Sequence, residues 1–304
     1  MGTLTGDQHG GRPGGRPLTT GEAGPTLSRM ILGMRLRRHR ESRGLTREQA
    51  ADTIRASDSK ISRLELGRVG FRLRDVIDLC DLYGVTDHTE RAALLGLARQ
   101  ANTPAWWARY GAVIPSWFEP YLGLEQQAAT LIRCYEVQFV PGLLQTPDYA
   151  AGVISIAHGD AGDADLELRL EVRMRRQRIL SQTRPPHVWA VVDEAALRRP
   201  IGGRAAMFRQ LQHLIDLCDL PHVTVQLLPF RSGGHAAAGG PVTMLCLPEP
   251  GLSDVVYLEQ LTSASYLDGP DEVLYYRHVM NLLATQAAPP SQTPSILRRI
   301  SGEL

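Results

Sequence analysis

Hydrophobic residues recur at helical spacing from about residue 27 to residue 101. Leu27, Ile31 and Met34 are three or four positions apart, which is typical of an amphipathic helix, and Gly44 marks its end. The same period, together with capping residues, predicts four more helices in this stretch. The five predicted helices cover about 27–42, 47–54, 58–66, 72–83 and 88–101. The first third of the chain is therefore expected to be all α-helical.

After residue 120 the pattern is helical at first and then changes to short β-branched runs. The helical stretch predicts helices over about 124–135, 147–156 and 165–181. Strand-like runs begin at His187, Val223, Val242 and Val255, and further helices are predicted over 205–219 and 271–285. This order of elements predicts an α+β domain with a mostly antiparallel sheet over 121–288, followed by a C-terminal tail over 289–304.

Two segments lack a regular period. Residues 1–25 contain eight glycines and three prolines, and they are expected to form a disordered tail because they cannot bury enough surface to offset the entropy of ordering. Residues 103–120 hold Trp106, Trp107 and Trp117. Clustered tryptophans can form a ligand cage or an interface, but a hydrophobic hinge that packs onto a second domain is the commoner arrangement. We expect an aromatic hinge here.

Basic residues are concentrated in the N-terminal domain. Residues 29–74 contain 13 Lys and Arg against five Asp and Glu, a net charge of +8 in a chain whose total is +1. This asymmetry indicates a module that binds a polyanion, and DNA is the obvious one. Lys60 is the only lysine, so the other 32 basic residues are arginines, and they occur throughout the chain. The charge of this segment alone therefore does not prove DNA binding.

Composition and motifs argue against several other classes of protein. The four cysteines are far apart, unlike those of a zinc ribbon or a disulfide scaffold. No apolar stretch reaches the roughly 18 residues of a membrane helix, and no common catalytic or phosphate-binding motif is present. We expect a cytoplasmic protein without a metal, a cofactor or an enzymatic activity.

Two short helices within the basic segment carry start signals. Thr46 and Gln49 form a capping box before the first, and Ser57 caps the second. Two such helices joined by a small turn predict a helix-turn-helix, whose second helix enters the major groove of DNA with its N-terminal residues at the base edges. The predicted base-reading residues are Asp58, Ser59, Lys60, Ser62 and Arg63, and the residues predicted to contact the DNA backbone are Arg47, Arg68, Arg72 and Arg74.

Residues 45–51 and 57–68 resemble the lambda-repressor-like, or XRE, family of DNA-binding domains. The resemblance covers roughly residues 29–100 and implies a five-helix bundle, which we assign to 26–102. Family members usually carry Gln where Arg47 stands, so we expect Arg47 to meet a phosphate. The family normally reads palindromic half-sites about one DNA turn apart as a dimer. A homodimer with its interface in the C-terminal domain or the aromatic hinge is therefore expected.

Several segments of the C-terminal half are similar to one family of actinobacterial regulators. They are 140–150, which contains Pro-Gly-Leu-Leu-Gln-Thr, 173–177, 192–199, 228–230 and 256–259. The similar proteins are the Scr1-family antitoxin-like transcriptional regulators, whose C-terminal half is the DUF5753 domain. The resemblance spans roughly residues 105–285. It implies that the C-terminal domain binds a small protein of the DUF397 type.

A candidate effector site is predicted where the C-terminal helices meet the sheet, since concave sites form where layers meet. Its residues are Tyr135, Gln145, Glu194, His235 and Glu259. His235 lies in a Gly-rich loop that could close over a ligand, although an exposed connection between strands is commoner. Glu194 and Glu259 are either paired carboxylates or partners of arginines. The interleaved Arg and Glu residues of 165–181 predict a helix face in solvent.

The leading hypothesis is a sequence-specific transcriptional regulator whose C-terminal domain binds a protein partner. A regulator gated by a small molecule is the alternative, and it predicts a bound compound rather than a co-purifying small protein. An enzyme fused to a helix-turn-helix module is the third hypothesis. It requires Glu194, His235 and Glu259 to converge in one cleft.

Overall fold

The N-terminal part of the chain is helical. The computed structural model describes residues 25–127, 129–159, 161–249 and 251–304, so the tail predicted over 1–25 lies, apart from Pro25, outside the described residues. The N-terminal helices are α1 (Pro25–Ser42), α2 (Arg47–Thr53), α3 (Asp58–Glu65), α4 (Leu73–Leu82) and α5 (His88–Ala101). Leu32, Ile61 and Leu94 are buried in the core that these helices share. Each helix lies within two residues of its predicted bounds.

The C-terminal part combines helices with a six-stranded sheet, as an α+β domain does. Its helices are α6 (Glu119–Gln127), α7 (Pro147–His158), α8 (Asp163–Arg176), α9 (Glu194–Arg198), α10 (Arg204–Leu217), α11 (Pro270–Gln286) and α12 (Thr293–Glu303). Its strands are β1 (Leu131–Glu136), β2 (His187–Asp193), β3 (Val223–Leu228), β4 (Val242–Cys246), β5 (Val255–Glu259) and β6 (Ala264–Leu267).

The sheet is mixed, so the prediction of a mostly antiparallel sheet is wrong. Its strand order is β3-β2-β1-β4-β5-β6, and β2 is parallel to both β1 and β3 while the other neighbours are antiparallel. The sequence pattern predicts one helix over 124–135, but α6 ends at Gln127 and β1 begins at Leu131. Because β1 is a central strand with Ile132 and Tyr135 buried on opposite faces, it lacks the polar alternation of a half-exposed strand.

Helices cover both faces of the sheet. α11 lies on one face, where Met280 and Leu283 belong to a buried cluster with Tyr135 and Met244. The opposite face packs against α6, α7, α10 and α12, and its apolar residues are continuous with the core of the N-terminal helices. The central strands are therefore enclosed between two helical layers, whereas Glu259 at the end of β5 is exposed.

The last helix, α12, falls in residues 289–304, which the sequence assigns to a C-terminal tail. Leu297 and Ile300 of this helix are buried, and the Thr293 hydroxyl donates to the Val225 carbonyl oxygen at 2.7 Å. These contacts cover β3, which is one of the two edge strands of the sheet. The segment thus completes the fold rather than extending from it.

The aromatic residues of 103–120 pack against α8. Trp107 and Tyr110 are buried in a cluster with Val172 of that helix. The Arg175 guanidinium lies 4.6 Å from the centroid of the Trp106 ring, a cation–π geometry. The Trp117 carbonyl oxygen accepts from the Tyr266 hydroxyl at 2.7 Å, so all three tryptophans of this segment contact the C-terminal part of the chain.

The N-terminal helices contact the C-terminal domain at several points, two of which lie near the ends of α1 and α3. The Thr26 amide of α1 donates to Gln127 Oε1 at 3.2 Å, and a Cβ at Gly123 of α6 would overlap the Thr26 side chain. After α3, the Arg68 guanidinium lies 3.5 Å from the Asp268 carboxylate, just before α11. The segment that follows α3 therefore contacts the segment that precedes α11 through an exposed ion pair.

Candidate functional site

The helix-turn-helix begins with the predicted capping box. The Gln49 amide donates to Thr46 Oγ1 at 3.2 Å, and the Thr46 amide donates to Gln49 Oε1 at 2.9 Å. At the start of α3 the Lys60 amide donates to Ser57 Oγ at 3.2 Å. Arg55 in the turn between them has a φ of 52°, a left-handed conformation that is uncommon for a residue with a side chain. These contacts fix where both helices begin.

One face of α3 is apolar and the opposite face is polar. Ile61 and Leu64 are buried against the other helices, whereas Ser59 and Arg63 are exposed. Asp58 is also exposed, and Ser62 is partly so. All five predicted base-reading residues, including Lys60 at 30% exposure, therefore have side chains that are at least partly accessible to solvent.

Lys60, the fifth, turns toward α4. Its ammonium donates to Asp75 Oδ2 at 2.9 Å, and the Asp75 side chain is only 11% exposed. A nearly buried carboxylate requires a partner. Acidic residues are common in the first turn of a helix, so the position of Asp75 in α4 gives no sign of this role. The structure thus places the Lys60 ammonium against Asp75 of α4, while the side chain remains 30% exposed.

The four arginines predicted to contact the DNA backbone flank α3. Arg47 lies 3.3 Å from Asp58, and both side chains are about half exposed. Arg68 has its contact with Asp268, while Arg72 and Arg74 are exposed. Exposed ion pairs contribute about 0–1 kcal/mol, so phosphates can replace these carboxylates at little cost.

We expect Lys60→Ala to destabilise the protein by about 1–3 kcal/mol, the cost of a buried charged group that loses its hydrogen bond. Urea unfolding measures this loss. Arg74→Ala is the matched control, because its side chain is 85% exposed and 3.8 Å from Asp78, and it should change stability by less than about 0.5 kcal/mol. Equal stabilities for the two variants would show that the Lys60 contact is not structural.

A buried ion pair holds the end of α3 against α1. Arg40 donates through Nε to Glu65 Oε1 at 2.5 Å and through Nη2 to Oε2 at 3.0 Å, and both side chains are less than 10% exposed. A third bond joins Arg40 Nη1 to the Leu45 carbonyl oxygen at 2.8 Å. A Cβ at Gly33 of α1 would overlap the backbone of Leu64, so this glycine permits the close approach of the two helices.

Two of the predicted effector residues meet at the carboxyl end of β1. The Tyr135 hydroxyl lies 3.1 Å from His235 Nε2 and donates to Asp193 Oδ2 at 3.4 Å. His235 comes from the connection between β3 and β4, which has to cross β2 and β1 because of the strand order. His235 Nδ1 is buried without a hydrogen-bond partner among the described residues.

The other three predicted residues have separate partners. Glu194 accepts from the Phe230 amide at 2.9 Å and pairs with Arg198 at 2.7 Å, whereas Glu259 accepts from the Tyr257 hydroxyl at 2.7 Å. Glu194 follows β2 and Glu259 ends β5, three strand spacings away, which is about 14 Å. They are therefore not paired carboxylates, and the described side chains do not bring Glu194, His235 and Glu259 into one cleft.

The Gln145 side chain stabilises the Pro-Gly-Leu-Leu-Gln-Thr turn through two hydrogen bonds. Its amide donates to the Val140 carbonyl oxygen at 2.7 Å, and its Oε1 accepts from Arg173 at 2.9 Å. The Gln177 amide donates to the carbonyl oxygens of Gly142 and Gln145 at 3.0 and 2.7 Å. The segments 140–150 and 173–177 thus form one hydrogen-bonded unit.

The arginines of α8 do not all face solvent, which corrects the predicted solvated helix. Arg176 is buried and forms two hydrogen bonds with Glu125, at 2.9 and 2.7 Å, and Glu125 is fully buried. Arg169 donates to the Val113 carbonyl oxygen at 2.9 Å. The spacing of four and three between Arg169, Arg173 and Arg176 places them on one inward face, a signal that the interleaved glutamates conceal.

Glu136 lies on the same side of the sheet as Arg173. Burial, with repulsion from Glu259, raises the pKa of Glu136 to about 8 although Arg173 opposes the shift. Burial also lowers the pKa of Arg173 to about 10. The carboxyl end of β1 therefore carries a carboxyl group that is protonated at neutral pH and an aromatic-histidine contact on the other face.

Raising the pH from 5 to 8 is expected to weaken the fold through Glu136. Its pKa in the folded state is above the ordinary value of 4.5, so between these values the folded protein retains a proton that the unfolded chain has released. Each pH unit in this window costs at most about 1.4 kcal/mol. Urea unfolding at several pH values should give a shallower dependence for Glu136→Gln, and parallel dependences would contradict the shift.

Two family models match the chain. A helix-turn-helix domain matches residues 31–94, and the domain of unknown function DUF5753 matches residues 118–299. Comparison with curated proteins and with solved structures finds no match. Within the described residues, no group of three or more His, Cys, Asp or Glu side chains is placed to hold a metal ion, and no helix is long and apolar enough to cross a membrane.

Proposed function

The chain belongs to the DUF5753 family and is a DNA-binding regulator, and we propose that it recognises a specific DNA sequence through α3. The observation that carries the proposal is the two-sided character of this helix. Its apolar side is buried, and Asp58, Ser59, Ser62 and Arg63 remain accessible at and beyond its capped N-terminus. A helix of this kind fits the major groove, where short polar side chains and arginine distinguish bases.

Two sets of substitutions test whether α3 reads the bases while the flanking arginines contact the DNA backbone. Ser59→Ala with Arg63→Ala should lower the preference for the operator over random DNA, because each base contact contributes about 1–3 kcal/mol of discrimination. Arg47→Ala should weaken binding to both DNAs alike and reduce the salt dependence. Lys60 is left unchanged because of its contact with Asp75. If the Ser59 and Arg63 variant lost the same affinity for the operator and for random DNA, α3 would not be the helix that reads the bases.

We propose further that the C-terminal domain binds a small protein partner, as the antitoxin-like regulators that it resembles imply. The internal bonds of the segment 140–150 support a structural role for the shared motif, which leaves the outer surface of the domain for the partner. Co-purification of the protein encoded by the adjacent gene tests this proposal. A chain that purifies alone and does not bind that protein would contradict it.

A small-molecule effector is the second candidate for the C-terminal domain. The contact between Tyr135 and His235 favours it, because the β3–β4 connection brings His235 to the carboxyl end of β1, where its Nδ1 is buried without a hydrogen-bond partner in the described part of the chain. A ligand there would change DNA affinity only by binding one conformation better than another. Cell extract should then change both operator affinity and the fluorescence of Trp106 and Trp107, and His235→Ala should remove both responses. A response that persists in His235→Ala would exclude this site.

A further inference from the structure

Arg133, in the middle of β1, is a buried cation without an anionic partner. It is 7% exposed, and its guanidinium lies 4.7 Å from the centroid of the Trp189 ring. Its Nε is buried without a hydrogen-bond acceptor, and no ion pair joins Arg133 to a carboxylate of the described residues. Burying a charged group is costly unless an opposite charge or hydrogen bonds compensate for it. Stacking on an indole ring compensates for this cost only in part.

The titratable groups around Arg133 do not supply the missing partner. Within the part of the chain that the structure describes, those that act on it are Cys246 and Arg277. Burial raises the pKa of the Cys246 thiol to about 12, so this thiol is uncharged at neutral pH. Arg277 repels Arg133 and already donates through Nη2 to Asp254 Oδ2 at 2.7 Å. The positive charge of Arg133 is therefore uncompensated.

Arg133 lies where the cover of α11 over the sheet ends. On this face of the sheet, Tyr135 and Val191 are buried in the cluster that includes α11. Toward the amino end of β1, the side chains on the same face are only partly buried. We call this area, including the buried Arg133, the β1 shelf, and its residues are Leu131, Arg133, His187, Trp189, Thr224 and Cys246. The uncompensated charge is therefore next to a surface that solvent reaches.

We propose that the β1 shelf binds a small-molecule monocarboxylate, whose carboxylate group pairs with the Arg133 guanidinium. A planar guanidinium matches a carboxylate through two parallel hydrogen bonds. One uncompensated positive charge fits an anion of charge −1. A phosphate of charge −2 would leave its second charge uncompensated, because Arg277 is already paired with Asp254. Leu131 and Trp189 offer apolar surface to the body of the ligand, as is usual for small-molecule sites.

The β1 shelf is distinct from the contact between Tyr135 and His235. Tyr135 lies on the same face of the sheet, but it is 1% exposed and its hydroxyl meets groups at the carboxyl ends of the strands. The shelf lies toward the amino ends of β1, β2 and β3. Carboxylate binding there is measured without DNA, so its outcome is independent of sequence recognition by α3.

Equilibrium dialysis of the full chain with radiolabelled benzoate tests the site. Benzoate should bind once per chain, and Arg133→Met should lower its affinity by at least about tenfold, since the charged hydrogen bonds are lost. Arg133→Lys keeps the charge but not the planar fork, and it should also bind benzoate more weakly. Arg204→Met, at an exposed position of α10, is the control and should bind normally. Unchanged benzoate affinity in both Arg133 variants, or no binding to the unsubstituted chain, would overturn the proposal.

Thermal unfolding separates a ligand site from a structural role for Arg133. Without ligand, Arg133→Met should unfold at the same temperature as the unsubstituted chain or a higher one, because it removes an uncompensated buried charge. Benzoate should raise the unfolding temperature of the unsubstituted chain and of Arg204→Met, but not that of Arg133→Met. A lower unfolding temperature for ligand-free Arg133→Met would mean that the fold itself uses the charge, and it would contradict the proposal.

Competition on the unsubstituted chain identifies the class of anion. Acetate should displace benzoate, whereas inorganic phosphate at equal ionic strength should displace it less and benzamide, its neutral analogue, should not displace it. Stronger displacement by phosphate or benzamide than by acetate would refute a monocarboxylate site. His235→Ala should retain benzoate binding. Loss of binding in that variant would place the ligand at the contact between Tyr135 and His235 and overturn the assignment to the β1 shelf.

Discussion

Glu65→Ala is expected to destabilise the N-terminal domain by about 3–5 kcal/mol, because it leaves the buried Arg40 charge without its carboxylate. Glu65 accepts two hydrogen bonds from Arg40 at the end of α3, so DNA binding should be lost as the helix loses its support. Urea unfolding followed by circular dichroism measures the stability, and operator binding is measured on the same samples.

Glu41→Ala is the control for that prediction. Glu41 also lies near Arg40, at 3.5 Å, but its side chain is 52% exposed, so the loss should stay below about 1 kcal/mol. Arg40→Met combined with Glu65→Leu should recover much of the stability, since an apolar pair of similar volume often replaces a buried ion pair without loss. Equal effects of Glu65→Ala and Glu41→Ala would contradict the importance of the buried pair.

Glu125→Ala is expected to have a comparable effect in the C-terminal domain, about 3–5 kcal/mol for a broken buried pair. Arg176 would lose both of its hydrogen bonds to Glu125, and its guanidinium also lies 5.1 Å from the Phe118 ring centroid. Thermal unfolding followed by tryptophan fluorescence reports this loss, because Trp107 packs against the same helix.

The control for Glu125→Ala is Asp148→Ala, which removes an exposed pair. Asp148 lies 2.6 Å from Arg209, but both side chains are more than half exposed, so the expected loss is about 0–1 kcal/mol. The Asp148–Arg209 and Glu125–Arg176 distances are similar, but only the second pair is buried. A difference in stability between the two variants would therefore come from burial and not from bond length. Losses of similar size in the two variants would mean that Arg176 finds water or another acceptor when Glu125 is removed.

The N-terminal domain follows closely from the sequence because its signals are local. The capping box at Thr46 and Gln49 and the cap at Ser57 act over three residues, and they place α2 and α3 directly. The direction of the Lys60 side chain depends on Asp75, fifteen residues away on another helix. A pattern within α3 does not contain that information, so the sequence alone does not predict the contact between Lys60 and Asp75.

The C-terminal sheet is harder to predict because its central strand has no local signal. β1 is buried on both faces, and Arg133 within it lies over the Trp189 ring rather than in solvent. In the sequence, a short apolar run that contains the charged Arg133 therefore resembles part of an amphipathic helix. The meeting of Tyr135 with His235 follows from the same strand, since only a central β1 brings the β3–β4 connection across it.

Selection of DNA fragments by the full chain, followed by competition between the selected site and random DNA at one physiological salt concentration, tests the central claim most directly. The account predicts that the selected fragments share a motif and bind at least about 10³-fold more tightly than random DNA. It predicts also that Ser59→Ala with Arg63→Ala reduces this ratio while the protein remains folded. Equal affinity for selected and random DNA would contradict sequence-specific recognition by α3.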